Sequence, residues 1–234
     1  VRQVVLDTET TGLAADQGHR IIEIGCVELV NRRLTGRTLH VYLNPERPVD
    51  EAATEVHGLT WEDLRDKPRF AEVSERLLSF VDGAEVLIHN ASFDLAFLDA
   101  ELARVGGGRF AGACAAVLDT LLMARELHPG KRNSLDALCD RYEVSNAHRT
   151  LHGALLDAEL LAEVYLAMTR GQDSFEIALD GDGPRTDAVG GLDWPPPGLR
   201  MVEVPPADAQ AHDALLSAIE KERRGPALWR IAPD

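Results

Sequence analysis

The sequence predicts an α/β fold: a mixed sheet with helices on its faces. Three observations carry the prediction. Strand-like runs come first, helical periodicities dominate afterwards, and one strand-like run returns between helices, as a parallel element would. The opening runs lie at roughly 3 to 7, 20 to 30 and 36 to 43, with glycine-containing and polar turns between them, which suggests a meander. The returning run is Ala84-Glu85-Val86-Leu87-Ile88. Helical patterns follow at about 69 to 81, 92 to 105, 119 to 127, 134 to 141 and 153 to 169.

The first strand carries the first chemistry. In Val4-Val5-Leu6-Asp7-Thr8-Glu9 the start is continuous and β-branched, and side chains two apart on a strand share a face. Asp7 and Glu9 are therefore neighbours, and a divalent cation between two such carboxylates keeps both ionised. A solvated strand end is the alternative for this pair alone. Thr10-Thr11-Gly12-Leu13 then forms a polar turn, which puts the pair at the C-terminal rim of the strand, where open α/β sheets keep their sites.

The second acid follows the returning strand. His89-Asn90 ends that strand, and Phe93, Phe97, Leu98 and Leu102 lie at helical spacing after it. With Asn90 as N-cap, Asp94 falls in the first turn and faces the strand ends, although the helix dipole alone also accounts for an acid there. The third segment is His152-Gly153-Ala154-Leu155-Leu156-Asp157-Ala158. From Ala154 to Met168 the residues Leu155, Ala158, Leu161, Ala162, Tyr165 and Leu166 form a broad apolar face, and Asp157 lies close to it, where an unpaired charge is costly. His152 belongs to the entering turn, as a neighbour of such a site or as a surface or capping residue.

The 234 residues suffice for one substantial domain plus extensions. A formal charge of -15 argues against broad electrostatic attraction to nucleic acid, so metal ions and a few local cations must attract any polyanionic substrate. No 18-residue apolar stretch and no basic-then-apolar N-terminal pattern occur, so a soluble, cytoplasmic protein with no membrane association is expected. Cys26, Cys114 and Cys139 lack metal-ligand spacing and a disulfide framework, consistent with a reducing compartment. After Gly171 the composition changes. Residues 180 to 206 hold six of the twelve prolines and five glycines and are expected to be a flexible linker. Beyond it Ala211, Leu215, Leu216 and Ile219 mark one face of a short amphipathic helix, followed by Leu228 and Trp229. A disordered tail is the alternative to a partner-docking one.

Together the strings Asp7-Thr8-Glu9-Thr10-Thr11-Gly12, His89-Asn90-Ala91-Ser92-Phe93-Asp94 and His152-Gly153-Ala154-Leu155-Leu156-Asp157-Ala158 resemble, in order, the three exonuclease motifs of the DEDD superfamily in its histidine variant. The resemblance covers about residues 2 to 170. Within the superfamily the chain is most similar to the proofreading epsilon-subunit family of bacterial DNA polymerase III, through Ala162-Glu163-Val164-Tyr165-Leu166-Ala167-Met168-Thr169, the linker, and the terminal helix ending in Leu228-Trp229-Arg230. The resemblance implies a ribonuclease-H-like fold with a mixed five-stranded sheet flanked by helices. It implies a metal-dependent 3′-to-5′ exonuclease that acts on single-stranded or frayed 3′ DNA ends and releases nucleoside 5′-monophosphates. A related exonuclease acting on RNA or short oligonucleotide 3′ ends is the alternative.

Two divalent ions serve the attacking and leaving oxygens in such chemistry, and oxygen ligands suit two Mg²⁺ or Mn²⁺. Asp7, Glu9, Asp94 and Asp157 are the expected ligands, and His152 is the expected general base. Thr10, Thr11, Leu13, Asn90 and Phe93 are candidate substrate contacts, with a core position as the alternative for Phe93. Val56-His57-Gly58 matches a string whose histidine lines the terminal nucleotide in the family, and a helix-ending surface residue is the alternative for His57. The implied organisation is an exonuclease domain at 1 to 171, a sliding-clamp-binding motif at 172 to 179 (Gln172, Phe175, Ile177), the linker at 180 to 206, and a tail at 207 to 234 that binds the replicative polymerase catalytic subunit through Leu215, Leu216, Ile219 and Trp229.

Overall fold

The structure, a computed structural model, describes residues 1 to 146, 151 to 170, 204 to 223 and 225 to 226. Gln172, Phe175, Ile177, Leu228 and Trp229, most of the linker and the end of the tail lie outside the described residues. The chain divides into two units, Val1–Gly181 and Asp182–Asp234.

In the first unit β1 (Arg2–Thr10), β2 (Ile21–Val30) and β3 (Arg33–Tyr42) form the expected antiparallel meander. Three helices, α1 (Glu51–His57), α2 (Trp61–Leu64) and α3 (Phe70–Val81), lead to β4 (Glu85–Ile88). Then come α4 (Ala91–Arg104), β5 (Ala116–Asp119), α5 (Thr120–Leu127), α6 (Leu135–Tyr142) and α7 (Ala154–Met168). The sheet order is β3-β2-β1-β4-β5, with β4 parallel to both β1 and β5. This is the mixed five-stranded sheet that the family resemblance implied.

β1 lies at the centre because it is apolar on both faces. Val4, Val5 and Leu6 are all fully buried, as a strand with helices on both sides requires. Strand alternation sends Val4 and Leu6 to a core built with Phe70, Leu77, Phe80, Phe97 and Leu98 of α3 and α4. It sends Val5 to the other face, against Val27, Leu87 and the α7 residues Ala158, Leu161, Ala162 and Tyr165.

Helix α7 is more deeply buried than its one apolar face suggested. Its far side carries Leu160, Val164 and Met168 into a third cluster with Ala124, Leu138 and Cys139 of α5 and α6. A helix apolar nearly all round is an interior helix. Three short elements gave no periodic signal: β5 has four residues, α1 seven and α2 four.

The contact between α7 and the sheet depends on Gly25. A Cβ built there would overlap the backbone of Ala154 and Leu155, so the first turn of α7 lies directly on β2. An isolated glycine within a strand marks such a close approach.

In the second unit the tail helix α8 (Pro206–Arg223) is present where amphipathic spacing predicted one. Leu215 and Ile219 are exposed and Leu216 is buried, so the predicted stripe is divided. Among the described residues, no helix is long and apolar enough to cross a membrane.

Replacing Gly25 with Ala should force α7 off the sheet and lower the melting temperature by several degrees. Gly108→Ala, where a Cβ meets nothing within 4 Å, should change it by less than about a degree. Equal melting temperatures for the two variants would refute the close-approach constraint.

Candidate active site

Asp7 and Glu9 stand two apart at the C-terminal half of β1, on the face that α7 covers. Asp7 pairs with Gly25 across the ladder and Glu9 pairs with Glu23. The register shifts immediately after Glu9, so the strand twists away at the carboxylates. Glu23 is buried and would bring a second negative charge beside Glu9, but His40 Nε2 lies 2.7 Å from its Oε1.

The first turn of α7 delivers Asp157. Its amide donates to Gly153 O at 2.9 Å, and the residue is 4% exposed. His152 precedes the helix, in the entering turn as expected. Its Nδ1 lies 3.1 Å from Asp157 Oδ2 while the ring stays substantially exposed. The His152 amide donates to Val56 O at 3.1 Å, which ties this turn to the end of α1. Glu9, His152 and Asp157 each offer a ligand atom, and these atoms all lie within 4.8 Å of one another. This is a hard, oxygen-rich donor set of the kind that holds a divalent cation.

Asp94 approaches from the opposite side of the sheet. The pairing of Val5 with Leu87 sets the end of β4 level with Leu6, just before Asp7 and Thr8. Helix α4 starts three residues after Ile88, so its first turn lies at the same rim. Thr8 faces away from Asp7 and Glu9, and its hydroxyl donates to Asp94 Oδ1 at 2.7 Å. Burial pushes the Asp94 carboxyl up from its ordinary 3.8 to about 7, against the lowering effect of the Thr8 bond.

Asn90 occupies the N-cap position, but its side chain does not cap. Its backbone is left-handed (φ 66°), and Asp119 at the end of β5 supplies the cap by accepting the amides of Asn90 and Ala91 at 3.3 and 3.0 Å. The same carboxylate accepts the Leu121 and Leu122 amides, so one residue starts both α4 and α5.

The other candidate residues divide by exposure. Leu13 is 86% exposed and Val56 46% exposed. Thr10 and Thr11 are buried, and their hydroxyls hold the turn: Thr10 Oγ1 donates to Gly12 O at 2.7 Å, and Thr11 Oγ1 accepts the Arg20 amide at 3.0 Å. His57 does end a helix, yet it is buried rather than on the surface. Its Nδ1 accepts the Leu59 amide at 3.1 Å. Burial lowers its pKa, opposed by the Thr10 backbone and aided by the nearby His152. Phe93 is partly buried, its ring 5.0 Å from that of Phe97.

Sequence reasoning passed over four residues that shape this site: Thr8, Gly25, Glu23 and Asp119. Only Gly25 carried a local signal, as a glycine inside a β-branched run.

The exonuclease model RNase_T matches residues 4 to 165. DNA polymerase III subunit epsilon of Escherichia coli strain K12 is 49% identical over 98% of this chain and 97% of its own length. The protein of that name from Pasteurella multocida strain Pm70 is 48% identical over 97% of this chain and 93% of its own. Among solved structures, exonuclease X in complex with 5′ overhanging duplex DNA superposes with a TM-score of 0.55 at 26% identity, covering 73% of this chain and 93% of that one. A structure of exonuclease I shares the fold, with a TM-score of 0.65 at 17% identity over 74% of this chain and 42% of that one. The three motifs, the sheet order and these matches agree: the chain belongs to the exonuclease family that includes the epsilon subunits of bacterial DNA polymerase III.

Proposed function

We propose that this chain is the proofreading subunit of a replicative DNA polymerase, a 3′-to-5′ exonuclease that removes mispaired nucleotides from the 3′ end of a primer and releases nucleoside 5′-monophosphates. The convergence of Glu9, His152 and Asp157 donor atoms within 4.8 Å, at the rim of the strand that also carries Asp7, is the observation that carries this reading.

Asp7, Glu9, Asp94 and Asp157 would hold two divalent ions, Mg²⁺ or Mn²⁺. When bound, such ions supply positive charge to the attacking and leaving oxygens of the phosphodiester. His152 takes the proton of the attacking water. Its Nδ1 is oriented by Asp157, and its Nε2 is the atom that accepts the proton. The ring is partly exposed, on the side from which the water would come, while the backbone bond from His152 to Val56 limits how far its base can travel. Leu13 and Val56 would present apolar surface to the terminal nucleotide, and the buried His57 lies near His152 and the Thr10 backbone. Thr10 and Thr11 shape the turn that carries Leu13. Asn90 and Phe93 flank Asp94 at the start of α4, where they would meet the strand being shortened.

Around this domain at 1 to 171, the segment 172 to 179 would bind a sliding clamp through Gln172, Phe175 and Ile177. The tail at 207 to 234 would bind the polymerase catalytic subunit through Leu215, Leu216, Ile219 and Trp229. The exposure of Leu215 and Ile219 on α8 supports the tail assignment. Deleting 207 to 234 should abolish polymerase-subunit binding in a pull-down and leave hydrolysis unchanged, and retained binding would count against the assignment.

With Mg²⁺, wild-type protein should shorten a 5′-labelled primer with a mismatched 3′ end, and chelator should stop it. Asp7→Ala should lower the rate at least about a hundredfold. A chelator-insensitive reaction, or an unaffected variant, would refute the mechanism.

Asp94 adds a stability prediction. A carboxyl whose folded pKa exceeds its unfolded one takes up a proton on folding between those values. Its cost to stability therefore grows as pH rises from about 4 to about 7. In chelator, Asp94→Asn should raise the melting temperature by a few degrees at pH 8 and by less at pH 5, and with Mg²⁺ the same variant should no longer hydrolyse the primer. A pH-independent difference would show that burial of the charge is not its cause.

A further inference from the structure

On the same rim of the sheet, one strand beyond the carboxylates, a cavity of about 550 Å³ is lined by His89, Arg125, Lys131, Arg132, Ser134 and Leu135 among others, with no carboxylate among the described residues of its wall. We propose that it is a phosphate-binding site for the single strand that feeds the candidate active site. The proposal rests on the exonuclease reading and deepens it.

Four observations support the assignment. First, Arg125, Lys131 and Arg132 are all exposed, and none has an ion-pair partner among the described residues. In a chain of formal charge -15, three cations grouped without a carboxylate are a local exception to the overall sign. Second, the nearest strand-end acid is committed elsewhere. Asp119 accepts four backbone amides at the starts of α4 and α5 and does not line the cavity. Third, α6 begins in the cavity wall at Leu135, with Ser134 as its N-cap, so the positive end of the helix dipole adds to the cations. Asp136 in that first turn is outside the lining and accepts a bond from Asn146. Fourth, His89 closes the inner end. Thr120 holds its Nδ1 at 3.0 Å, and its buried Nε2 makes no hydrogen bond of full geometry among the described residues, with the Asn133 backbone interacting with the ring.

Position selects the ligand. His89 and Asn90 are consecutive, and neighbouring strands lie only about 4.8 Å apart. The cavity therefore begins within a nucleotide or two of the carboxylates, and its volume accepts a sugar phosphate. Arginine forks and a lysine suit successive phosphates of a backbone and read no base, as an exonuclease that must accept any sequence requires.

The test compares the wild-type full chain with Lys131→Gln/Arg132→Gln and, separately, Arg125→Gln. Fluorescence anisotropy measures binding of dT8 with Ca²⁺ across a salt series. Hydrolysis of the p-nitrophenyl ester of thymidine 5′-monophosphate, which carries only the phosphate at the reacting centre, is followed in parallel. The double variant should bind dT8 about tenfold more weakly. The slope of log affinity against log salt should fall by about 1.4, roughly 0.7 for each of two lost phosphate contacts. Ester hydrolysis should stay within twofold of wild type, and the melting temperatures should agree.

Unchanged dT8 affinity and salt slope in folded variants would overturn the proposal. So would a loss on the ester equal to that on dT8, or lost binding to a polymerase subunit with dT8 binding intact. A wild-type protein that hydrolyses nothing would refute the exonuclease reading instead, and the dT8 comparison would still decide the cavity.

Discussion

The absence of a side chain at Gly25 is the constraint on which the site depends. Because β2 offers only backbone at that point, the first turn of α7 rests against the sheet directly across the ladder from Asp7. Everything the helix delivers follows from this depth. Asp157 reaches Glu9 only because its turn is one side-chain layer closer than an ordinary helix on a sheet, and His152 enters beside it because the chain must descend to that level. The burial of both sides of α7 makes the depth affordable: Val5 and Leu161 meet on the sheet side, and Leu160 and Val164 pack on α5 and α6. A helix with a single apolar face would have a solvated side and less reason to stay.

The sheet also divides the carboxylates. Asp7, Glu9 and Asp157 lie on the α7 face, whereas Asp94 arrives from the α4 face and is held by Thr8 at the rim. Helix α4 is fixed at both ends. Asp119 caps its start, and near its end the buried Glu101 takes a two-pronged bond from Arg20, at 2.6 and 2.8 Å. Arg20 belongs to the stretch that follows the Thr10-Thr11 turn, so the turn beside Glu9 and the helix carrying Asp94 are clamped to each other. With both acids on clamped elements, their separation is a property of the fold rather than of side-chain rotamers, as positioning of reacting groups demands.

Most of this fold was legible because its signals are local. The β-branched opening of β1, the helical spacing of α3 and α4, the apolar run of α7, and the glycine turns each lie within about fifteen residues. The five candidate residues come from motif order, and the structure brings the donor atoms of three of them, Glu9, His152 and Asp157, within 4.8 Å of one another. The missing pieces arise between segments. Thr8 matters only because α4 crosses its side of the strand, and Glu23 only because the register sets it opposite Glu9. Asn90 has the side chain of a good N-cap, yet a left-handed backbone turns it away and a residue 29 positions later caps the helix. Short elements such as β5 fail for a related reason: four residues carry too little periodicity, and β4 rather than its own sequence makes it a strand.

Charge requires the same distinction between local and global. A formal charge of -15 would repel a polyanion if all charges acted together, but at physiological ionic strength the screening length is about 8 Å. A phosphate at the rim therefore responds to the groups within a strand or two of it: acids at β1 and α7, and beyond β4 cations with no ion-pair partner among the described residues. On the proposed assignments, such a layout would draw the backbone in on one side and leave the acids to hold metal on the other. It also suits an enzyme that does not search for its substrate. On the proposed tail docking, the primer end is presented at high effective concentration, so the surface far from the rim has no need to attract DNA and can stay acidic without loss. The net sign then reflects the surface as a whole, and the cationic cavity is one place among the described residues where the chain departs from it.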